Sequence, residues 1–302
     1  MKVLISGGSG FIGSALTNDL VRDGHEVIIL TRQVNASQSL SPRVRFVPWD
    51  TRTLCEWAAE LEQVDAVVNL IGENIGAKRW TPAQKQEIIA SRVNPGKALT
   101  QAIQQARHKP GVFVQISGVG AYGMSEDKVF DESDNYGDDF GAGVTLAWEA
   151  STKPVEEMSV RRVVARTGVV LHATKGALPR MLLPFKFFVG GRLGSGRQWF
   201  SWIHLADAVR GIRFLIDNPQ AQGIFNLCAE SVTNREFARE VGKVLHRPAL
   251  IPVPAIVLRL MFGEMSTIIL EGQNVTAKRL QELGFEFLYP KLDAALRNLY
   301  YH

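Results

Sequence analysis

The sequence is poor in cysteine, in long apolar runs and in blocks of like charge. Its 302 residues include two cysteines, Cys55 and Cys228, which lie far apart without metal-site spacing. We expect them to be structural, in a reducing compartment. No apolar run reaches the ~18 residues of a membrane span, and Met1-Lys2 leads directly into an apolar segment. A cytoplasmic protein with neither a cleaved signal peptide nor a membrane partner is therefore expected.

The chain also has little net charge. The chain has 34 Lys and Arg against 30 Asp and Glu, a formal net charge of +4. Because the excess is slight and spread along the sequence, no nucleic-acid-binding stripe is predicted. A slight excess of basic residues is also compatible with a small anionic substrate. The sequence leaves the oligomeric state open.

Apolar runs of strand length alternate with helix-like segments in the first part of the chain. The runs occupy residues 3–5, 27–30, 44–47, 66–71, 112–116 and 163–170. Helical spacing is found between several of them, at residues 14–23, 82–90 and 96–107. Uninterrupted apolar strands alternating with helices indicate a parallel sheet covered on both faces. We predict an α/β fold: a Rossmann-type doubly wound parallel sheet with a smaller, mainly helical C-terminal region.

The stretch "ISGGSGFIGSAL" lies between the first predicted strand and the first predicted helix. Gly7, Gly10 and Gly13 give the spacing G-x-x-G-x-x-G. The first glycine permits a tight turn, the second lets the backbone approach a pyrophosphate, and the third allows close helix–sheet packing. The helix N-terminus then offers free N–H groups to phosphates. A plain tight turn is the alternative, but this placement favours a dinucleotide site.

The end of the second predicted strand indicates which dinucleotide is bound. An acid at this position would hold a ribose 2′-hydroxyl, but the strand ends in Thr31 and Arg32. A guanidinium offers a fork of donors to a 2′-phosphate, and a threonine adds a hydroxyl. The sequence therefore favours NADP(H) over NAD(H), with an exposed surface arginine as the alternative.

Further stretches resemble the extended short-chain dehydrogenase/reductases of the NAD-dependent epimerase/dehydratase superfamily. They are "VVNLIGENI", "QISGVGAYG", "RLGSGRQWFSWIHLADAVRGI" and "GIFNLCAESVTNREFA", so the resemblance covers nearly the whole chain. More narrowly, "NLIGENI…KRW…SRV" and "ILEGQNV…RL…GFEFLYPKL" look like the epimerase-like branch called YfcH-type.

The resemblance implies a division of the chain into two domains. Residues 1–170 are expected to form the dinucleotide-binding domain, to which residues 203–228 return. Residues 171–202 and 229–302 are expected to form the smaller substrate-side domain. Because no low-complexity linker separates them, we expect the two to pack together and share a cleft.

The same resemblance implies cofactor-binding positions, residue by residue. They lie on the glycine loop, after the second, third and fourth strands, on the helix bordering the cofactor, and just past the sixth strand. The positions are Gly7, Ser9, Gly10, Phe11, Ile12, Gly13, Thr31, Arg32, Asp50, Thr51, Leu70, Ile71, Gly72, Glu87, Arg92, Val170 and Leu171.

The catalytic pair of these reductases is missing. The family places a Tyr and a Lys four residues apart on one helix face, and the tyrosine acts as general acid or base. The helix expected to carry them spans residues 140–151, where Gly141 and Thr145 occupy the two positions. The position of the usual catalytic hydroxyl on strand five is Gly118. Family-standard hydride chemistry is therefore not expected.

Two nearby hydroxyls are candidate substitutes for the missing groups. Tyr122 and Ser117 lie past or near the end of strand five, where ligands bind in this topology. Tyr122 is our candidate proton donor. The alternatives are a half-buried packing role for Tyr122 and a cofactor hydrogen bond for Ser117.

Polar and aromatic residues on other cleft-side loops are candidates for the substrate side. In the glycine-rich loop at residues 190–199, arginines could hold phosphate or carboxylate, and a tryptophan offers a stacking face. Each candidate could equally have a structural or surface role. The full set is Glu73, Arg79, Arg192, Arg197, Trp199 and His204.

Three functions remain open from the sequence. The first is an NADP(H)-dependent oxidoreductase or epimerase-like enzyme of atypical mechanism. The second is an NADP(H)-binding sensor or scaffold without catalysis, which the missing Tyr-Lys pair favours. A true nucleotide-sugar epimerase or dehydratase is the third. No metal site is expected.

Replacing Arg32 should separate the two nicotinamide cofactors. A lost charge-assisted bidentate contact costs on the order of 1.5–3 kcal/mol, or roughly 10- to 100-fold in affinity. Arg32→Ala should therefore weaken NADPH binding by that factor and leave NADH binding nearly unchanged, as measured by calorimetry. Equal affinity of the unmodified protein for both cofactors would refute this expectation.

Overall fold

The computed structural model describes residues 1–32 and 41–301. Its centre is a sheet of seven parallel strands in the order β11-β7-β5-β4-β1-β2-β3. Those strands are β1 (Lys2–Ser6), β2 (Glu26–Thr31), β3 (Val44–Pro48), β4 (Ala66–Asn69), β5 (Val112–Gly118), β7 (Arg161–Thr167) and β11 (Gly223–Leu227). The first strand lies between two neighbours, so the strand order reverses beside it. This arrangement confirms the predicted doubly wound parallel sheet.

Side chains alternate across the sheet because successive residues of a strand point to opposite faces. Val3 and Ile5 of β1 pack on one face, and Leu4 packs on the other. The first face is covered by α1 (Phe11–Arg22) and α5 (Leu205–Asp217). The second is covered by α2 (Pro82–Gln105) and a 3₁₀ turn at Glu56–Gln63. Burial on both faces explains why the strands read as continuous apolar runs.

The rest of the chain forms short strand pairs and small helices. β8 (Val169–Leu171) pairs with β10 (Trp202–His204), β9 (Trp199–Phe200) with β12 (Val232–Thr233), and β6 (Val129–Phe130) with β13 (Asn274–Val275). The helices are α3 (Phe140–Ala150), α4 (Leu178–Lys186), α6 (Asn234–Leu245), α7 (Ala255–Phe262), α8 (Thr267–Leu270), α9 (Lys278–Glu282) and α10 (Leu292–Tyr301). In the described ranges, no helix combines the length and apolarity needed to cross a membrane.

A separate apolar cluster holds the C-terminal helices together. It contains Leu182 of α4, Phe237 of α6 and Leu296 of α10, and all three side chains are buried. Trp202 and Leu171 extend the cluster to the β8–β10 pair. The C-terminal region therefore has its own core while one strand, β11, completes the edge of the main sheet.

A buried ion pair joins α3 to the sheet. Arg166 of β7, fully buried, donates from Nε and Nη2 to the two carboxylate oxygens of Glu149 at 2.9 and 3.0 Å. Glu149 also accepts from Ser117 Oγ at 2.7 Å and from the Tyr136 hydroxyl at 2.6 Å. The guanidinium lies between the rings of Tyr122 and Tyr136, 4.8 and 4.7 Å from their centroids. Burial alone would lower the pKa of Arg166, but the bonds and charge of Glu149 raise it, so the guanidinium stays charged.

Breaking this pair should cost far more stability than breaking a surface pair. Arg166→Met leaves the Glu149 carboxylate buried and uncompensated, which we expect to lower the free energy of unfolding by about 3–5 kcal/mol. The control is Arg22→Met, because Arg22 is paired with Asp19 at the surface and should lose no more than about 1 kcal/mol. Urea unfolding measures both, and equal losses would contradict this account.

Candidate functional site

The glycine loop has the geometry of an anion cradle between β1 and α1. Gly7 adopts a positive φ of 78°, and its carbonyl accepts the Gly10 N–H at 3.0 Å. Gly10 is the N-cap of α1 and caps it without a side chain, which leaves backbone N–H groups for a ligand. A Cβ on Gly13 would lie 2.2 Å from the Gly7 carbonyl oxygen, so the helix packs too closely for any side chain there.

A cavity of about 750 Å³ opens in front of this loop. We call it the glycine-loop pocket. It brings together eleven residues that the sequence analysis assigned to the site, ten as cofactor contacts and one, Glu73, as a substrate contact. They are Gly7, Ser9, Gly10, Thr31, Arg32, Thr51, Leu70, Ile71, Gly72, Glu73 and Glu87.

Two arginines lie on the rim of the glycine-loop pocket. Arg32 follows β2, and Arg52 follows β3. Within the described part of the chain, neither guanidinium pairs with an acid. The sequence analysis did not single out Arg52, which follows the predicted Asp50-Thr51 pair directly. Together the two cations favour an anionic group at this end of the pocket.

Asp50 has a structural role that the sequence did not predict. Its Oδ1 accepts the backbone N–H groups of Arg52 and Thr53, each at 2.8 Å, and its Oδ2 accepts the Thr53 hydroxyl at 2.7 Å. Those bonds hold the pKa of Asp50 below its usual value, the bonds from Thr53 and Arg52 contributing most. The turn places Thr51 at a positive φ of 71° and directs Arg52 to the pocket rim. The Asp50 side chain, predicted as a cofactor contact, therefore orders the loop instead.

Residues of α2 form one wall of the glycine-loop pocket. Glu87, Ala90, Ser91 and Asn94 recur at helical spacing on the face that borders it. The sequence analysis named Glu87 and missed the others. The signal that could have found them is this three- and four-residue spacing from Glu87. Trp49 at the end of β3 was also missed.

Four predicted cofactor positions have their side chains in packing contacts. Phe11 and Ile12 pack against the core from the first turn of α1, with the Phe11 ring edge-on to His172 at 5.8 Å. Val170 and Leu171 of β8 are buried in two of the apolar clusters. The side chains of these four residues therefore pack in or against the apolar core.

Arg92 lies in the partition between the glycine-loop pocket and a second cavity. It is buried, and its guanidinium donates to the carbonyls of Ile88 at 2.9 Å and Glu73 at 2.8 Å. It also packs against Gly72 on one side and over the Trp148 ring, at 4.9 Å, on the other. Burial lowers the pKa of Arg92 to about 10, so it remains a cation at neutral pH.

The second cavity, of about 390 Å³, is lined mainly by apolar side chains. We call it the apolar cavity. Its walls include Ile75, Trp80, Met124, Phe140, Val144, Trp148, Val169, Trp199, Phe200 and Ile268. Gly141, Thr145 and Gly118, which stand at the positions of the family's Tyr, Lys and hydroxyl, also line it. The Thr145 hydroxyl donates to the Gly141 carbonyl at 2.9 Å, so the usual catalytic positions offer the cavity little polar chemistry.

The candidate donor Tyr122 is directed away from this cavity. Its hydroxyl donates to Asn226 Oδ1 of the edge strand β11 at 2.8 Å, and its ring stacks on Phe130 at 5.5 Å. Burial raises the pKa of Tyr122 to about 12. Ser117 is likewise occupied, because its hydroxyl donates to Glu149. This geometry does not support the predicted catalytic role of either residue.

The predicted substrate-side residues are separated in space. Trp199 lines the apolar cavity, and its Nε1 donates to the Glu126 carbonyl at 2.6 Å. Arg197 is exposed and pairs with Glu126 at 3.1 Å. Arg192 donates to the carbonyls of Gly194 and Ser195, each at 2.8 Å, and braces its own loop. The structure therefore gives the two arginines contacts outside the apolar cavity.

His204 and Arg79 have structural contacts. His204 is buried and caps α5 by accepting the Ala206 N–H on Nδ1 at 3.1 Å, and its ring packs at a tilt against Tyr289, 4.2 Å between centroids. Burial lowers its pKa, so the ring stays neutral at neutral pH. Arg79 donates to the Leu260 carbonyl at 3.2 Å and ties its loop to α7. The Arg79 contact joins residues 181 positions apart, which sequence spacing does not reveal.

No group of His, Cys, Asp and Glu side chains suited to a metal ion occurs among residues 1–32 and 41–301.

The reversed strand order and the glycine loop define a Rossmann-type α/β protein. Residues 3–145 match the NAD dependent epimerase/dehydratase family, and residues 253–299 match a domain of unknown function, DUF1731. The chain is 40% identical to the epimerase family protein YfhF of Bacillus subtilis (strain 168), covering 99% of this chain and 98% of that protein. It is 38% identical to the epimerase family protein SDR39U1 of Mus musculus, with 99% of each covered. The chain belongs to the NAD-dependent epimerase/dehydratase family.

A solved structure shares the whole architecture. The crystal structure of human epimerase family protein SDR39U1 (isoform2) with NADPH has a TM-score of 0.87 and 36% sequence identity, and the match covers 99% of both chains.

Closing the space between the loop and α1 should abolish dinucleotide binding. In Gly13→Ala the new Cβ would lie 2.2 Å from the Gly7 oxygen and 2.7 Å from Gly8 Cα, so the loop must shift. We expect calorimetry to detect no NADPH binding. Gly143→Ala is the control, because its Cβ meets nothing within 4 Å on α3 and should leave binding intact. Undiminished NADPH affinity in the Gly13 variant would contradict the role of the loop.

Proposed function

We propose that the protein binds NADP(H), with the phosphates at the glycine loop and the 2′-phosphate between Arg32 and Arg52. The observation that carries this is the placement of both guanidinium groups on the rim of the glycine-loop pocket. Gly7, Gly10 and Gly13 fit the cofactor, because the backbone approaches there where a Cβ would fill the space. The human relative crystallised with NADPH supports the choice of NADP(H) over NAD(H).

The protein is, on this proposal, an epimerase-like oxidoreductase of atypical mechanism. When bound, NADP(H) supplies or accepts a hydride. The apolar cavity holds the substrate, and Trp80, Trp148 and Trp199 exclude water and offer flat faces. This composition favours an apolar or aromatic carbonyl or alcohol over the small anionic substrate that the sequence suggested, because Arg192 and Arg197 are engaged elsewhere.

The proposal assigns proton transfer to Asp139. This residue lines the apolar cavity at the N-terminus of α3, where its Oδ1 accepts the Ala142 N–H at 2.9 Å. Its Oδ2 is buried without a hydrogen-bond partner among the described residues. A buried, unpaired carboxylate oxygen is costly unless a ligand or water satisfies it. Because Oδ2 lies against the Gly123 loop, a substrate hydroxyl would donate to it only after that loop moves, and the carboxylate would then accept the proton as the alcohol is oxidised.

A catalytically inactive NADP(H)-binding sensor is the second candidate function. The observation in its favour is that Gly118, Gly141 and Thr145 stand where the family's catalytic groups would be. A sensor would bind the cofactor with the same selectivity and show no turnover. A true nucleotide-sugar epimerase or dehydratase is less well supported, for the same reason. Within the family, we place the chain in the YfcH-type branch on the motifs it shares.

The experiment first measures NADPH, NADP⁺ and NADH affinities by calorimetry. It then follows NADPH oxidation against apolar, aromatic and sugar-nucleotide carbonyls. We expect tight NADPH binding and turnover confined to apolar carbonyls. Failure to bind NADPH would overturn the proposed function, whereas binding without turnover would favour the sensor.

Filling the apolar cavity should separate substrate binding from cofactor binding. A Cβ on Gly120 meets nothing within 4 Å, so Gly120→Leu adds its side chain to the cavity without a backbone clash. We expect turnover with the best carbonyl to fall at least about tenfold, with NADPH affinity kept. Gly143→Leu adds the same side chain to open space on the other side of α3 and serves as the control. Equal turnover in both variants would show that the substrate binds elsewhere.

A further inference from the structure

A groove of about 840 Å³ lies away from the glycine-loop pocket, beside α6. One face of α6, the end of the 190–199 loop and residues 246–252 form its walls. We call it the basic groove. Its lining carries five guanidinium or ammonium groups and an imidazole, from Arg192, Arg235, Arg239, Lys243, Arg247 and His246. The residues that line it include no acid.

Several of these cations are not neutralised by neighbours. Arg239 and Lys243 share one carboxylate, that of Glu240, at 3.3 and 2.9 Å. Arg235 and Arg247 pair with no acid in the described ranges. The groove therefore carries a net positive charge, which favours phosphate groups.

The charge excess is concentrated in space although it is spread along the chain. Residues 158–206 and 241–263 contain no Asp or Glu. The structure joins the two stretches through backbone hydrogen bonds, from Ile251 to Gly190 at 3.1 Å and from Gly194 to Val253 at 2.8 Å. Arg192 from the first stretch and Lys243 and Arg247 from the second thus meet at the basic groove.

Large apolar side chains stand exposed beside the basic groove. Phe187 is 69% exposed and Leu250 is 82% exposed. Phe188, Val189 and Ile251 are also exposed, and we call these five residues the apolar ridge. Leu250 lines the groove itself, and the Arg247 guanidinium lies 4.4 Å from the centroid of the Phe188 ring. Ridge and groove are therefore one continuous surface.

Phe188 stands just past the end of α4, in a conformation uncommon for a bulky residue. Phe188 has a positive φ of 64°, a conformation that costs a bulky residue free energy. Leaving phenylalanine exposed there gains no burial in the folded chain. The positive φ closes the C-terminus of α4, where the Phe188 N–H donates to the Phe185 carbonyl and the Val189 N–H to the Pro184 carbonyl, each at 3.0 Å. The exposure of the large apolar side chains is therefore the feature that favours an external partner.

We propose that this surface docks on an anionic lipid membrane. The basic groove would contact lipid phosphates, and the apolar ridge would enter the headgroup–acyl boundary. The sequence analysis expected no membrane partner because the chain has no spanning run, but interfacial docking needs none. The proposal is independent of the proposed cofactor and reaction.

Charge and apolarity together select this partner over two others. A symmetric dimer through the same surface would bring two basic grooves together, which like-charge repulsion opposes. A nucleic acid would satisfy the cations but offers the aliphatic side chains Leu250 and Ile251 no apolar phase to enter. An anionic bilayer satisfies both features.

The test is flotation of the whole protein with vesicles of phosphatidylcholine alone or mixed with phosphatidylglycerol. We expect binding to the mixed vesicles, weakening as added salt shortens the screening length from about 10 Å at 0.1 M to about 3 Å at 1 M. The double variant Arg235→Gln/Arg247→Gln should bind about 25-fold more weakly, about fivefold for each cation. Lys153→Gln, an exposed lysine outside the groove, is its control and should bind as the unmodified protein does.

A second pair of variants tests the apolar ridge. Phe187→Ser/Leu250→Ser should lose vesicle binding at every salt concentration, whereas Leu288→Ser, 55% exposed elsewhere, should keep it. Thermal melting confirms that each variant is folded. Calorimetry with glycerol phosphate and tripolyphosphate separates free phosphate from lipid. Tight binding of either anion with no binding to vesicles would overturn the proposal, as would a dimer in sedimentation that the ridge variant dissociates.

Discussion

The ion pair between Glu149 and Arg166 determines where α3 lies, and the apolar cavity depends on α3. Gly141, Val144, Thr145 and Trp148 of that helix face the cavity, and Glu149 fastens the helix to β7 one residue later. The carboxylate is also bonded from β5 and from the loop before α3, so three segments meet at one charge. A cavity wall made largely of apolar contacts alone would slide more freely, since such contacts have little directionality.

The parts of the site that follow from local sequence were predictable, and those that depend on distant partners were not. The glycine loop is a strand, a turn and a helix in one stretch, so its spacing reports its geometry directly. Tyr122 is different, because its hydroxyl bonds to Asn226, 104 residues away. His204 has a local role as a helix cap, but a histidine N-cap is too uncommon for its sequence to indicate it. Arg52 reaches the pocket through a turn ordered by Asp50.

The position of a charged residue in the sequence can also suggest the wrong contact. Arg192 looked like a substrate ligand because it lies in a glycine-rich loop, yet its guanidinium donates to two carbonyls of its own loop and lies outside the apolar cavity. The sheet itself could be predicted from the apolar runs that alternate with helical segments, because strands buried on both faces are apolar throughout. The packing of α6 against the C-terminal core decides which cations face each other and which donate to backbone carbonyls instead.

Arg92 is shared by two compartments, touching Gly72 of the glycine-loop pocket and Trp148 of the apolar cavity. Its two bonds to backbone carbonyls leave it few ways to move without disturbing both walls. A side chain held in this way connects the wall of the glycine-loop pocket to the wall of the apolar cavity. If filling one compartment displaced Arg92, the affinity of the other would change, and thermodynamic reciprocity would require the same factor in both directions. The order in which two ligands arrive is then immaterial to the final free energy, although either one can prepare the site for the other.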